Sequence, residues 1–407
     1  MPQGWMPTRL GSICKTNQRT YSVSEQWPFV NYLDTGNITE NRVSEIQHIV
    51  IGQDTLPSRA RRKVAIDDIL YSTVRPNQRH YGIVKDVLPN MLVSTGFTVI
   101  TADKGKADSD FLYYYLTQND IVDGLHAIGE QSVSAYPSIK PSDIEGLELL
   151  LPPLAEQVEI GRTLRSLDDK IANNSKINHH LEQMAQAIFK SWFVDFEPFG
   201  GVMPDDWREG TLGDICSFQA GFAFPKDEQG AVASDIPFIK VSDMNSVENG
   251  YFIIRSNNWI SNETAKRLKL KLAPIGAIVF AKIGEALKAE RLRVIVRLTA
   301  IDNNMMTAIA SSPVYAAYLP FLLEDIHLAE WAEGSALPYL RQSDLTKIPI
   351  VIPAQKALKF FSAVMKPIEG MKLMKSKEGS HLASLRDSLL PRLMSGELSV
   401  ADLSDAK

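Results

Sequence analysis

The chain repeats itself. Residues 1–14, MPQGWMPTRLGSIC, return as MPDDWREGTLGDIC at 203–216, with Met, Pro, Trp, Leu, Gly, Ile and Cys recurring at an offset of 202. WPFVNYLD (27–34) matches IPFIKVSD (236–243), and DILYSTVR (68–75) matches AIVFAKIG (277–284), both at 209. VSTGF (93–97) echoes IDNNM (301–305) at 208, and PSIKPSDIEGLELLLP (137–152) matches PYLRQSDLTKIPIVIP (338–353) at 201. The order is kept and the offsets drift by a few residues, as loop insertions and deletions would make them drift. This is a duplicated domain, and 407 residues suit two such copies with connecting elements.

Each copy reads as mixed α and β. ILYSTV, LVSTGFTVI and PIVI are short and rich in β-branched and aromatic residues, which predicts strands. FLYYYLTQNDIVDGL and its counterpart PVYAAYLPFLLEDIHLAEWAEG have helical spacing. The predicted organisation is a domain at 1–150, a long helix in 151–200, a second domain at 203–352, and a long helix with a tail in 353–407.

The segments between copies differ in kind from the copies. Residues 154–190 contain no Pro and no Gly except Gly161, and Ile160, Leu164, Leu167, Ile171, Ile177, Leu181, Met184 and Ile188 fall three to six apart, mostly at helical steps of three or four. After the second copy come Leu358, Phe361, Met365, Ile368, Leu382, Leu385 and Leu389, with Pro367 and Gly370 expected to break or kink this helix early. Each helix could pack on its own domain. Their equivalent placement favours pairing with each other, antiparallel if the copies are related by a pseudo-two-fold axis. Such a helix would span roughly 50 Å. The fold class is therefore α+β: two duplicated domains separated by an antiparallel coiled coil.

Composition narrows the function. With 44% hydrophobic and 22% charged residues the chain is of the soluble globular kind, no apolar run reaches the ~18 residues of a membrane span, and the start lacks a basic-then-apolar leader, so a cytoplasmic setting is expected. Two cysteines exclude a disulfide framework or a Cys-rich zinc site; Cys14 and Cys216 are equivalent by the duplication and are expected to be small buried residues. No phosphate-cradling GxxxxGK[ST], no HExxH and no Cys/His cluster occurs. Asp168-x-Lys170 lies within a helical stripe and reads as a surface ion pair. An enzyme is disfavoured.

Charge mapped locally says more than the total of -5. Between 59 and 85 lie Arg59, Arg61, Arg62, Lys63, Arg75, Arg79 and Lys85. The equivalent window of the second copy holds Lys269, Lys271, Lys282, Lys288, Arg291 and Arg293, flanked by Lys266, Arg267 and Arg297. One such window could be a solvated face; two matched windows favour a phosphate-binding face. Arg75, Asn77, Gln78, Arg79 and Tyr81 follow a probable strand, where a loop could enter a groove and planar groups could read bases. Gly284 stands where Arg75 does, and the following loop differs, as expected of one scaffold carrying two reading loops. Lys140 and Arg341 are equivalent; phosphate contact and a local salt bridge are the alternatives.

The segment LPPLAEQVEIGRTLRSLDDKIANNSKINHHLEQMAQAIFKSWFVDFEPF (151–199) resembles the central conserved region of type I restriction-modification specificity subunits, and SLRDSLLPRLMSGEL (384–398) resembles their distal conserved region. DILYSTVRPNQR and GSALPYLRQSDLTKIPIVIP are similar to segments of that family's target-recognition domains. The resemblance implies a non-catalytic subunit whose two target-recognition domains each read half of a split, asymmetric site in double-stranded DNA, with the helices setting the unread spacer. It implies two modification subunits that methylate adenine with S-adenosylmethionine, and restriction subunits that use ATP and Mg. No cofactor is expected on this chain and no membrane partner. Leu181, Ile188, Phe189, Trp192 and Phe193 would serve helix pairing and docking of modification subunits, with core packing as the alternative. A duplicated-domain protein-binding adaptor and an unrecognised enzyme remain as other classes.

Overall fold

A computed structural model describes residues 2–131, 136–246, 248–334 and 337–404. The chain divides into two compact units, 1–169 with 383–407, and 170–382. Two helices of forty residues, Leu154–Phe193 and Gln355–Met394, each contribute to both units.

In the first unit, one four-stranded sheet is ordered Gln47–Val50, Phe29–Leu33, Met91–Ser94, Ala60–Lys63. A second is ordered Cys14–Thr16, Phe97–Ala102, Ile69–Ser72, Tyr81–Ile83. Strands Ile69–Ser72 and Met91–Ser94 are buried along their whole length, which explains their continuous apolar runs. Met6–Arg9 pairs with Glu148–Leu151 and closes the domain. In the second unit, Cys216–Ala220, Met305–Ala310, Ile278–Ala281, Arg293–Ile295 and Phe252–Ile253 form a five-stranded sheet, and Asn258–Ile260, Ile236–Ile239 and Ala300–Ile301 a three-stranded one.

The duplication holds at the level of ladder register. Met6 faces Leu151 as Arg208 faces Ile352. Cys14 faces Ala102 as Cys216 faces Ala310. Phe97 faces Ser72 as Met305 faces Ala281. Since a one-residue slip would turn every side chain to the wrong face, shared registers mean shared cores. One equivalence moves. Leu33 lies beside Val93 and Ile239 beside Ile301, so these strands match three residues away from the offset that the sequence suggests. The cysteines behave as expected: both are free and buried, each Sγ donating to a carbonyl four residues back, Leu10 at 3.2 Å and Leu212 at 3.4 Å. Burial pushes both thiols up to about 12.

The helices pair antiparallel within each unit. In the first, Arg386 Nη1 meets Asp168 Oδ1 at 2.6 Å. In the second, Asn178 Nδ2 donates to Ser376 Oγ at 3.0 Å, Glu182 meets Lys372 at 2.5 Å, and Phe193 packs on Phe361 with ring centres 4.9 Å apart. Residue numbers fall on one helix as they rise on the other. The expected break does not occur: Gln355–Met394 runs unbroken through Pro367 and Gly370. A proline inside a helix costs about 3 kcal/mol through its missing N–H and its clash with the preceding turn; Phe361, Met365 and Lys372, buried on the face opposite Pro367, hold the helix in place against that cost.

Candidate nucleic-acid interface

In the first domain, strand Ile69–Ser72 leads into a loop whose shape is over-determined. Arg75 (φ 47°) and Arg79 (φ 55°) both hold left-handed backbone and bracket the 3-10 turn Pro76–Gln78. The Arg75 N–H donates to the Pro137 carbonyl at 2.9 Å, and the Gln78 N–H to the Arg75 carbonyl at 2.9 Å. The Arg79 carbonyl accepts from Glu40 N–H at 2.9 Å. Two non-glycine residues in that region are held only where neighbours compel them, a pattern that collects at functional sites. The loop presents Asn77 and Gln78 exposed. Arg79 is engaged locally, with Nη2 donating to Asn119 Oδ1 at 2.8 Å and Nη1 reaching Glu40 at 3.5 Å. Tyr81 corrects the sequence expectation: it is 3% exposed, its ring stacked on Tyr71 at 5.7 Å, because the strand Tyr81–Ile83 is buried along its whole length.

The basic strand behind this loop is mixed. Arg59 is exposed and Arg61 half-buried. Arg62 is partly desolvated, which pulls its pKa below the ordinary arginine value. Lys63 pairs with Glu25 and lies 5.1 Å from the Trp27 ring centre. Lys85 is clamped by Asp67 and Asp110, each at 2.9 Å. Arg59, Arg61 and Arg75 make none of these ion pairs, and the Arg75 guanidinium lies 4.8 Å from the Tyr136 ring centre.

The second domain repeats the frame with other chemistry. Gly284 (φ 72°) replaces Arg75, and its N–H donates to the Pro338 carbonyl at 2.8 Å. The one-turn helix Glu285–Lys288 follows, and Glu290 anchors the loop by accepting from the Ala329 N–H at 2.8 Å and meeting His327 Nδ1 at 3.2 Å. That bond raises the His327 pKa. Lys269, Lys271 and Arg291 are exposed and Lys282 half-buried; Lys288 is exposed and meets Glu285 at 2.6 Å. Arg293 is not a surface cation: its guanidinium is spent on the carbonyls of Asn249 at 2.7 Å, Leu292 at 2.9 Å and Met244 at 3.4 Å, and burial lowers its pKa. Lys140 and Arg341 both open short helices and are exposed. Arg341 is engaged with Glu333 at 3.1 Å and lies 5.1 Å from the Tyr339 ring centre. Lys140 has no ion pair among the described residues.

The aromatic cluster at the end of the first long helix both pairs with the second helix, through Phe361, and packs into the core. Phe189 and Phe193 are buried, and Ile188 and Trp192 pack against the same core of the second unit, among Trp207, Tyr318, Phe321 and Phe361. Leu181 is half-buried. The exposed apolar stripe lies instead on the second helix, at Phe360, Val364, Met371 and Met374, with Pro367 on the same face. Steps of four, three, four and three keep it along one side of the helix. Sequence reasoning missed it because it interleaves with the core stripe Leu358, Phe361 and Met365.

Among the described residues no group of His, Cys, Asp or Glu could hold a metal ion, and no helix is long and apolar enough to cross a membrane. The family described as "Type I restriction modification DNA specificity domain" matches residues 2–183 and 204–377. The chain is 31% identical over 392 residues to the type I restriction enzyme MjaIX specificity subunit of Methanocaldococcus jannaschii, covering 91% of this chain and 84% of that one. It is 25% identical over 465 residues to the HindI specificity subunit of Haemophilus influenzae, covering 97% and 99%. The crystal structure of a type I restriction-modification S subunit from M. genitalium shares the fold, with a TM-score of 0.58 at 16% identity over 96% of each chain.

Proposed function

The chain belongs to the family of type I restriction-modification DNA specificity subunits, whose role is DNA recognition alongside other subunits, and we propose that each of its two domains reads one half of a split, asymmetric site in double-stranded DNA. One observation carries this reading. The two domains keep the same register in their closing, Cys-bearing and central antiparallel ladders, yet the loops that leave the equivalent strands Ile69–Ser72 and Ile278–Ala281 are unlike. One scaffold with two different loops is what two unlike half-sites require. Asn77 and Gln78, as planar amides, suit adenine edges in the major groove. Arg59, Arg61, Arg75 and Lys140 in the first domain, and Lys269, Lys271, Lys282, Lys288, Arg291 and Arg341 in the second, supply phosphate contacts that fix register.

In this proposal the paired helices set the unread spacer. The stripe Phe360, Val364, Met371 and Met374 docks a modification subunit, since an apolar line at heptad-like spacing is what another helix covers. S-adenosylmethionine, ATP and Mg act on the modification and restriction subunits and none on this chain. The test is to map methylated adenines in cells carrying this chain with its modification subunits. A single bipartite site with two unlike halves and a fixed gap is expected. A continuous palindrome would overturn the proposal, and absence of duplex binding with modification subunits present would favour a protein-binding adaptor.

A further inference from the structure

Positions 136 and 337 are equivalent by the shift that matches the closing strands, and each puts a large apolar side chain into solvent: Tyr136 and Leu337 are both 58% exposed. Isolated exposed apolar residues are ordinary. These two share further features that are not. Each precedes a proline, Pro137 or Pro338, which confines its backbone to extended forms. The segment that follows each is stitched to the reading loop by two main-chain bonds. In the first domain the Arg75 N–H donates to the Pro137 carbonyl at 2.9 Å and the Ile139 N–H to the Thr73 carbonyl at 2.9 Å. In the second the Gly284 N–H donates to the Pro338 carbonyl at 2.8 Å and the Leu340 N–H to the Lys282 carbonyl at 2.8 Å. Each side chain lies against the left-handed residue that opens its loop. The Arg75 guanidinium is 4.8 Å from the Tyr136 ring centre, and Leu337 Cδ1 is 3.6 Å from where a Gly284 Cβ would stand. Four residues on, each chain turns into an exposed cation, Lys140 or Arg341.

We infer that Tyr136 and Leu337 are apolar wedges, each inserting at a base-pair step of the half-site that its own domain reads. This rests on the DNA-reading role proposed above and adds a mode of contact to it. A tyrosine ring could stack flat on a base, but a branched leucine cannot, so the role common to both residues is to part a step rather than to cover a base. Wedge side chains of this kind unstack a step and kink the duplex, and the kink brings more protein surface to the DNA. A wedge must be rigid, because a side chain free to swivel is pushed aside; the proline and the paired main-chain bonds supply that rigidity before DNA arrives. Different wedge shapes on one frame also favour different steps, since pyrimidine–purine steps part more easily than others.

The test uses the full chain in complex with its modification subunits on a duplex carrying the mapped site, with 2-aminopurine placed in turn at each purine of both half-sites. The wild-type complex is expected to raise fluorescence several-fold at one step in each half, at a position other than the methylated adenine. Tyr136→Ala should abolish the rise in the first domain's half alone, Leu337→Ala in the second's alone, and Tyr136→Phe should preserve it. Specific binding by the wild type with no such step, or rises that survive both alanine variants, would overturn the wedge while leaving the reading role intact. Failure of the wild-type complex to bind its site specifically would overturn the reading role itself.

Discussion

Lys372 and Glu182 meet across the helix pair, Nζ to Oε2 at 2.5 Å, with the lysine side chain 2% exposed and its ammonium 3.3 Å from the centre of the Tyr251 ring. A buried charge is tolerated when it is paired, and removing one partner strands the other. Lys372→Ala is therefore expected to destabilise the protein by about 3–5 kcal/mol. The double change Lys372→Met with Glu182→Leu should restore most of that loss, because apolar groups of similar volume replace the pair without an unmet charge. Urea unfolding of the two variants checks this, and equal destabilisation of both would refute it.

Beside this pair, Glu369 is pushed up to about 7 by burial, with Lys372 drawing it part of the way back. The uncharged carboxyl is thus the form that the folded state favours, and that contribution is complete below the ordinary glutamate value of 4.5. It drains away as pH rises from about 4.5 through about 7, by at most about 3 kcal/mol at 1.36 kcal/mol per unit. Glu369→Gln should flatten the fall in melting temperature across that window and leave the variant more stable than the parent at pH 8. A parallel pH profile for the two proteins would show that Glu369 is not the group responsible.

Arg75 holds left-handed backbone where its counterpart is Gly284. For a residue with a Cβ that conformation costs about 1–2 kcal/mol, and glycine escapes it. Arg75→Gly should accordingly melt no lower than the parent while weakening DNA binding, which would mark the strain as retained for contact rather than for folding. Asn77→Ala and Gln78→Ala should each lower discrimination by about 1–3 kcal/mol at positions in one half-site only. Methylation mapping reads the outcome, and unchanged specificity in both halves would displace the reading loop from this segment.

The scaffold was legible because duplication preserves burial: Leu10 with Leu212, Cys14 with Cys216, and Ile69 with Ile278 remain apolar and inward, so the repeat shows in the letters. The site was legible only in outline. A window of basic letters counts charge but not what each side chain packs against. Arg62 loses hydration, Arg293 caps three carbonyls, and Tyr81 turns inward beside Tyr71. Pro367 and Gly370 argued for a break by local propensity, yet tertiary packing of Phe361, Met365 and Lys372 overrides it. The helix face at Phe360 to Met374 was hidden because two stripes of period near 3.5, side by side, read as one apolar run.

That face gives a prediction of its own. Val364 and Met371 are exposed, so Val364→Asp and Met371→Asp together should shift stability by only about 0.5 kcal/mol each, the usual range for surface changes. Their effect should appear in assembly: co-purification of modification subunits is expected to fall sharply while the melting temperature holds. Normal recovery of the complex would move the docking face elsewhere.

The helix pair offers the most direct test of spacing. Four residues added between 171 and 181, matched by four between 373 and 383, would lengthen both helices by ~6 Å and keep the Asp168–Arg386 pair in register. At 3.4 Å per base pair that is roughly two base pairs of spacer, with both half-sites unchanged because neither reading loop is touched. If methylation mapping returned the original gap, the helices would not set it; if it returned altered half-sites, the loops would not act independently of the helices.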